Sequence, residues 1–456
     1  MFQVKPQQKP ALLESVILSI ILIGIISYFI IHVGTVPHIP ILLGIFLLIF
    51  YGLVKKISFH DLQAGMIEGA KAGMGAVFLF FLIGILISSW MVSGTIPVLI
   101  NTGFTWVGGQ WLYALVFAVT AIIGVSLGSS LTTTATIGVA FIGIAEAMDA
   151  SLAITAGAIV SGAFFGDKMS PLSDTTNLAS TIVNVDLFEH IKHISLTTIP
   201  AFIISFIGFL ILSPKDPVSM GISSDYQAAL ASTNLIHWSS WIPLMILVLC
   251  TLFKIPAFIS IATSSLVATF LAIFMGGIAP SDIWTIWFEG YTGTTDFDAV
   301  NELLTKGGID SMLFTISLVL LALGFGGLLF TTGIIPTILT AFQDKLTSVR
   351  STILSTAMTA IGINVMIGEQ YLSILLTGET FKGVYEKAGL SKKALSRTLE
   401  DAGTVINPLV PWSVCGVFIA DVLQVPVLVY LPFAFFCLLS PIITILFGGK
   451  TATAHS

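Results

Sequence analysis

Apolar stretches of about 20 residues recur along almost the whole chain, from residue 11 to residue 447, and each is long enough to cross a hydrocarbon layer of about 30 Å. Hydrophobic residues make up 55% of the chain, charged residues only 9%, and the mean hydropathy is +1.01. A soluble domain carries about 25% charged residues, so a soluble enzyme is excluded. The stretches are continuous and rich in Leu, Ile and Phe, which excludes the short alternating segments of a β-barrel. The expected fold is an all-α polytopic membrane protein.

The net charge of -6 is spread over loops, and no basic block points to nucleic acid. Cys250, Cys415 and Cys437 show no paired spacing and read as packing residues. Residues 11–31 are too long for a signal core and lack a small-residue cleavage site, so they are read as a retained first span.

Apolar segments near residues 12–33, 39–54, 73–92, 110–148, 151–183 and 194–213 are followed by a second set of six. These lie near 236–253, 257–276, 311–332, 350–376, 400–423 and 426–447. Asp61, Glu68 and Gly69 recur as Asp282, Glu289 and Gly290 at a shift of 221. Ser93-Gly94-Thr95-Ile96-Pro97 recurs as Thr332-Gly333-Ile334-Ile335-Pro336 at 239, with residues 291–309 supplying the insertion. Ile123-Gly124-Val125-Ser126 pairs with Ile361-Gly362-Ile363-Asn364 at 238, and Pro200 with Pro432 at 232. The spacing therefore predicts two repeats, residues 1–213 and 236–456, joined by an extracellular linker at 214–235. Internal repeats of this kind mark secondary transporters that bind cargo between the halves.

Gly, Ser, Thr, Asn and Pro interrupt the fourth and fifth segments of each half. Residues 110–148 and 350–390 are predicted as re-entrant hairpins, and 151–183 and 400–423 as crossings with unwound centres. Each half then crosses five times, which inverts the second relative to the first and gives about ten full crossings plus two hairpins. Of the 18 Lys and Arg residues, this topology puts fifteen inside, Lys215 and Lys306 outside, and Lys168 in the membrane. Full crossing by both hairpins gives a weaker bias. Both termini are cytoplasmic either way.

The run Gly166-Asp167-Lys168-Met169-Ser170-Pro171-Leu172-Ser173-Asp174-Thr175-Thr176-Asn177 breaks an apolar span. A charge at the centre of a membrane helix costs about 2.5 to 3.5 kcal/mol, so three unpaired ones would cost roughly 8 to 10 kcal/mol. Pro171 frees carbonyls and the hydroxyls add hard oxygens, a donor set suited to a small cation. Asp174 is the expected Na+ ligand with Thr175. Ser170, Ser173, Thr176 and Asn177 are expected to support it, Asp167 to be a second proton or sodium group, and Lys168 to modulate it by pairing with Asp174 or a hairpin group. Hydroxyl-rich residues 129–136, including Ser129, Thr132 and Thr133, suit a hairpin tip whose half-helix ends bind ions. In the second half Asn364, Glu369 and Asn407 hold the corresponding positions, with Gln370 beside Glu369. Asp401 reads as a helix-start charge, and Glu189, His190 and His193 as solvated loop residues. The remaining histidines show no ligand spacing.

The segment Gly162-Ala163-Phe164-Phe165-Gly166-Asp167 through Asn177 resembles the signature of NhaC-type sodium/proton antiporters. Asp186-Leu187-Phe188-Glu189-His190-Ile191 and Gly128-Ser129-Ser130-Leu131-Thr132-Thr133-Thr134-Ala135-Thr136-Ile137-Gly138 are similar to that family too. The resemblance implies a prokaryotic plasma membrane, paired hairpins moving as an elevator, and exchange of Na+ for H+ without a cofactor. One branch of the family resembles malate/lactate antiporters, so small-carboxylate exchange is the alternative, with Lys168 holding the carboxylate. The expected partners are Na+, H+, lipid bilayer and, in the alternative, malate or lactate; a homodimer stays open. No H-E-x-x-H helix or G-x-G-D arrangement supports an intramembrane hydrolase.

Overall fold

The computed structural model of the protein describes residues 5–107, 110–215, 229–295, 297–341 and 348–447. Of the linker expected at 214–235, residues 216–228 lie outside the described residues, as do Lys345, Lys450 and His455. The described chain is helical, and its β pairing is confined to isolated bridges such as Tyr291 with Lys306.

Seven helices are long and apolar enough to cross a membrane, or nine when each of two bent pairs is one span. One of them, Ser130–Ala147, is 94% buried inside the protein, whereas the first span, Leu12–Val33, is only 17% buried. The first span meets lipid and the other does not. Set Ser130–Ala147 apart as a hairpin arm, and the shorter apolar helices His38–Val54 and Trp238–Leu252 bring the crossings to ten.

Both hairpins turn in the same way. Leu112–Leu127 ends at Gly128, whose φ of +65° is left-handed, and Val349–Ile367 ends at Gly368 with φ +77°. A side chain at either position would be strained, so glycine lets the chain reverse in one residue. The next residue caps the returning arm: Ser129 Oγ accepts from Thr132 N at 3.3 Å, and Glu369 Oε2 accepts from Leu372 N at 2.7 Å. Buried N–H groups at a helix start need such partners, because no water replaces them in lipid.

The broken crossings follow the same logic. Leu152–Met169 stops at Ser170, and Ser173 caps the continuation Asp174–Ile182 by accepting from Thr176 N at 3.3 Å. The Asn177 amide donates to the carbonyls of Pro171 at 3.1 Å and Ser173 at 2.7 Å, satisfying acceptors that the break exposes. In the second half Lys392–Leu409 and Val414–Leu423 meet at a 46° bend, and Ser413 caps the outgoing helix by accepting from Gly416 N at 2.9 Å.

Gly128 with Gly368 and Ser173 with Ser413 relate the halves by a shift of 240. The pairing of Ile123–Ser126 with Ile361–Asn364 is therefore two residues out of register. Pro432 sits in a short 3-10 turn, whereas Pro200 lies inside a long helix as Pro441 does, at a shift of 241. Small residues repeat too often in apolar helices for single matches to fix register. The pair Gly94 and Gly333, both with positive φ, does keep the shift of 239.

The first hairpin is set by contact with the first broken helix. Gly124 faces Gly166, where an added Cβ would lie 2.4 Å from the Gly124 Cα. Farther along, Asp174–Ile182 packs on the second hairpin's returning arm, Gln370–Lys387, while Val414–Leu423 reaches the first hairpin. Each broken helix thus touches both hairpins. Gly166→Ala is expected to destabilise the protein by about 1–3 kcal/mol through overpacking, read as a lower thermal unfolding midpoint. Gly24→Ala, where nothing lies within 4 Å of the added methyl, should leave it unchanged.

Candidate functional site

A cavity of about 860 Å³ lies between the two hairpin tips. Gly128 to Thr132 line it from the first hairpin, and Glu369 to Leu372 from the second. The first broken helix contributes Asp167, Asp174 and Thr175; Glu68, Lys71 and Lys254 line it as well. Ser130, Asp174, Gln370 and Val414, the first residues of four helical segments, all reach it. Their N–H ends, which have no partner within their own helix, carry partial positive charge. The carboxylates of Asp174 and Glu369 answer that charge from within the same helix starts.

Asp174 is the exposed carboxylate of this surface, and the Tyr371 hydroxyl faces it. Thr175 beside it is buried, its hydroxyl 3.0 Å from Ser173 Oγ. Asp167 is buried behind the first tip, where Ser130 Oγ donates to its Oδ2 at 2.7 Å. Ser129 and Thr132 line the cavity and bond to each other at 3.0 Å. Asp167, Asp174, Thr175, Ser129, Thr132 and Glu369 are therefore brought together as the sequence suggests.

Other candidates shape the site without lining it. Thr133 Oγ1 donates to Ser129 O at 2.7 Å, Thr176 Oγ1 to Lys168 O at 3.2 Å, and Ser170 Oγ accepts from Leu172 N at 3.2 Å. Asn364 and Asn407 are fully buried and tie the second hairpin to the second broken helix. Asn407 Nδ2 donates to Asn364 Oδ1 at 2.8 Å, Asn364 Nδ2 donates to Gly403 O at 2.6 Å, and Asn407 Oδ1 accepts from Cys415 N at 2.9 Å. These bonds occupy the amides with the protein itself.

Lys168 stands apart from the expectation. Its ammonium reaches neither Asp174 nor a hairpin tip but donates to Asp401 Oδ1 and, at 3.0 Å, to Ser440 Oγ. Lys168 and Asp401 are both 0% exposed. Asp401 is no helix-start charge: it lies in the π-helical turn Glu400–Thr404, and its other oxygen accepts from Thr197 Oγ1 at 2.8 Å. Neighbouring helical residues point apart, so Asp167 facing the cavity sends Lys168 to the opposite side. His190 is likewise buried rather than solvated, with Nδ1 2.9 Å from Ser396 Oγ, and His193 Nε2 lies 3.3 Å from an Arg397 nitrogen. Glu189 remains at the surface, paired with Lys393 at 2.8 Å. Among the described residues no group of three His, Cys, Asp or Glu side chains could hold a metal ion. Tyr371 is a site residue that the sequence reading does not single out, and Ser130 enters it only as part of the hydroxyl-rich run 129–136. Their position next to the predicted hairpin turns was the available signal.

The Na+/H+ antiporter family matches residues 162–449. The Na(+)/H(+) antiporter NhaC of Alkalihalophilus pseudofirmus is 42% identical over 441 residues, covering 96% of this chain and 94% of the relative. The Na(+)/H(+) antiporter NhaC of Bacillus subtilis is 38% identical, covering 92% and 93%. The malate-2H(+)/Na(+)-lactate antiporter of Bacillus subtilis is 30% identical, covering 97% and 96%.

Removing one partner of the buried ion pair leaves the other charge stranded, at a cost of about 3–5 kcal/mol. Asp401→Asn is expected to lower the thermal unfolding midpoint of the purified protein accordingly. The double variant Lys168→Met/Asp401→Leu should recover most of the loss.

Proposed function

The chain belongs to the Na+/H+ antiporter family, and from that premise we propose how its cavity carries out the exchange of Na+ for H+. It is a multi-pass membrane transporter and not an enzyme. Asp174 is the carboxylate that takes Na+ or H+ from the cavity, and Thr175, Ser129 and Thr132 offer oxygen ligands around it. Asp167, one helical segment behind, is a second group able to hold a proton. Because one carboxylate cannot hold both ions, arrival of one releases the other, and competition couples the two flows. Na+ and H+ are cargo, and the reading calls for no resident cofactor.

The observation that carries this reading is the convergence of both hairpin tips with Asp174 on one cavity. The bacterial relatives support a prokaryotic plasma membrane location, the bias of Lys and Arg supports cytoplasmic termini, and Lys71 and Lys254 then make the cavity open inward. Residues 1–213 and 236–456 form two inverted halves, joined by the segment at 214–235. The hairpins and broken helices that touch them form the unit that carries the site between the two faces.

The carboxylate alternative is motivated by the malate/lactate relative. It needs a cation inside the cavity to hold the organic anion. Lys168 is engaged by Asp401 and Lys71 is paired with Glu68 at 2.5 Å, so the exposed Lys254 is the lining cation left for an organic anion, and inorganic ions are the favoured cargo. Labelled malate or lactate uptake driven by a sodium gradient in proteoliposomes would reverse that preference. The main assignment is tested by Asp174→Asn, which is expected to abolish sodium-dependent proton movement in everted vesicles while leaving insertion intact. Normal exchange by that variant would overturn it.

A further inference from the structure

One carboxyl in the membrane interior takes no part in the cavity. Glu400 opens the π-helical turn Glu400–Thr404, where the helix Lys392–Leu399 runs toward the unwound centre of the second broken crossing. It is 0% exposed, and neither of its carboxyl oxygens has a hydrogen-bond partner among the described residues. The Thr404 hydroxyl, four residues on, faces the same carboxyl closely enough to interact with it but outside full hydrogen-bond geometry. Asp401, its neighbour in sequence, has three partners in Lys168, Ser440 and Thr197.

The two carboxyls therefore differ in kind. An ionised carboxylate is tolerated in an apolar interior only when it is paired and hydrogen-bonded, and otherwise takes up a proton. Asp401 meets that requirement and Glu400 does not. The charges facing Glu400 are Lys168 and Asp167 from Leu152–Met169 and Asp401 beside it. Val349–Ile367, Gln370–Lys387 and Phe435–Phe447 also pack on this turn and set no charge against the carboxyl, while Asp174–Ile182, Leu187–Leu212 and Lys392–Leu399, which pack on it too, carry Asp174, His190, His193 and Arg397. Lys168, the cation facing Glu400 from the first broken crossing, already has Asp401 as its carboxylate.

We propose that Glu400 is a second proton-carrying residue of the exchanger, separate from the cation cavity, whose proton must be given up and regained in the same cycle as the competition within the cavity. In this state it holds the proton as a neutral acid. When the broken crossing rearranges, its O–H bond breaks, the electron pair stays on the carboxylate and the proton leaves to water. The Lys168 ammonium, now shared between Asp401 and Glu400, compensates the new negative charge. Reprotonation on the other face returns Lys168 to Asp401. The inference rests on the chain exchanging Na+ for H+, but not on the assignment of Asp174.

The test separates sodium binding from proton coupling in proteoliposomes. Radioactive-sodium counterflow, with sodium on both sides and no pH gradient, needs only the cation site; uptake driven by a pH gradient needs the proton site as well. Glu400→Gln mimics the protonated acid, and should keep counterflow within about twofold while losing at least about tenfold of the pH-driven uptake. Asp174→Asn should lose both. Full pH-driven uptake with an unchanged pH profile in Glu400→Gln would overturn the proposal, and so would loss of counterflow equal to the loss of pH-driven uptake. If Asp174→Asn instead keeps both, the cavity assignment fails and that of Glu400 stands. Glu400→Asp keeps a carboxyl and covers the case in which the amide variant does not assemble: a displaced pH midpoint of uptake supports the proposal, and an unchanged midpoint overturns it.

Discussion

Backbone N–H groups at the start of a helix have no partner within that helix, and in lipid no water supplies one. Four such starts converge here, at Ser130, Asp174, Gln370 and Val414. Each is capped by the residue before it, namely Ser129, Ser173, Glu369 and Ser413. The caps make the interruptions tolerable, and the interruptions create the cavity. Converging positive helix ends would repel a cation, so the carboxylates at the same ends are what make the place fit for one. In the proposed mechanism the need to satisfy the backbone and the ability to bind Na+ fall to the same few side chains.

A second constraint runs between the halves. The ion pair of Lys168 with Asp401 joins the two broken crossings at a place shielded from both water and lipid. Such a pair adds little net stability when made and costs much when broken. Its service is to hold one crossing in register with the other. Ser440 and Thr197 extend the tie to the last helix of each half. Movement of one broken crossing is thereby felt by the other.

The architecture was legible where polar residues interrupt apolar ones. Gly128 and Gly368 mark the hairpin turns, and the run from Asp167 to Asn177 marks a break, because such residues have no place in a lipid-facing helix without a reason. Helical spacing also warned that Asp167 and Lys168 point to different sides. It could not name the partner of Lys168, which lies 233 residues away and is met only through the packing of two separate crossings. Asp401 follows a lysine-rich stretch and His190 a short polar, loop-like one, so both read as solvated, whereas their burial comes from helices distant in the chain. The register of the repeat slipped because Gly and Ile recur at many spacings, whereas left-handed φ at a glycine occurs at few. Glu400 carried no sequence signal at all, since an acid next to an acid in a charged segment reads as surface.

The arm Ser130–Ala147 combines a modest hydropathy of 1.3 with 94% burial. Lipid offers it little, and although Thr95–Val107 and Leu112–Leu127 precede it, the rest of the wall it leans on, Leu152–Met169 and Val414–Leu423, is synthesised after it. During biogenesis the arm therefore has only part of its home when it emerges. The chain must either shelter it provisionally or leave it outside the bilayer until residue 169 has followed, so that assembly of this half is a retroactive event rather than a helix-by-helix one.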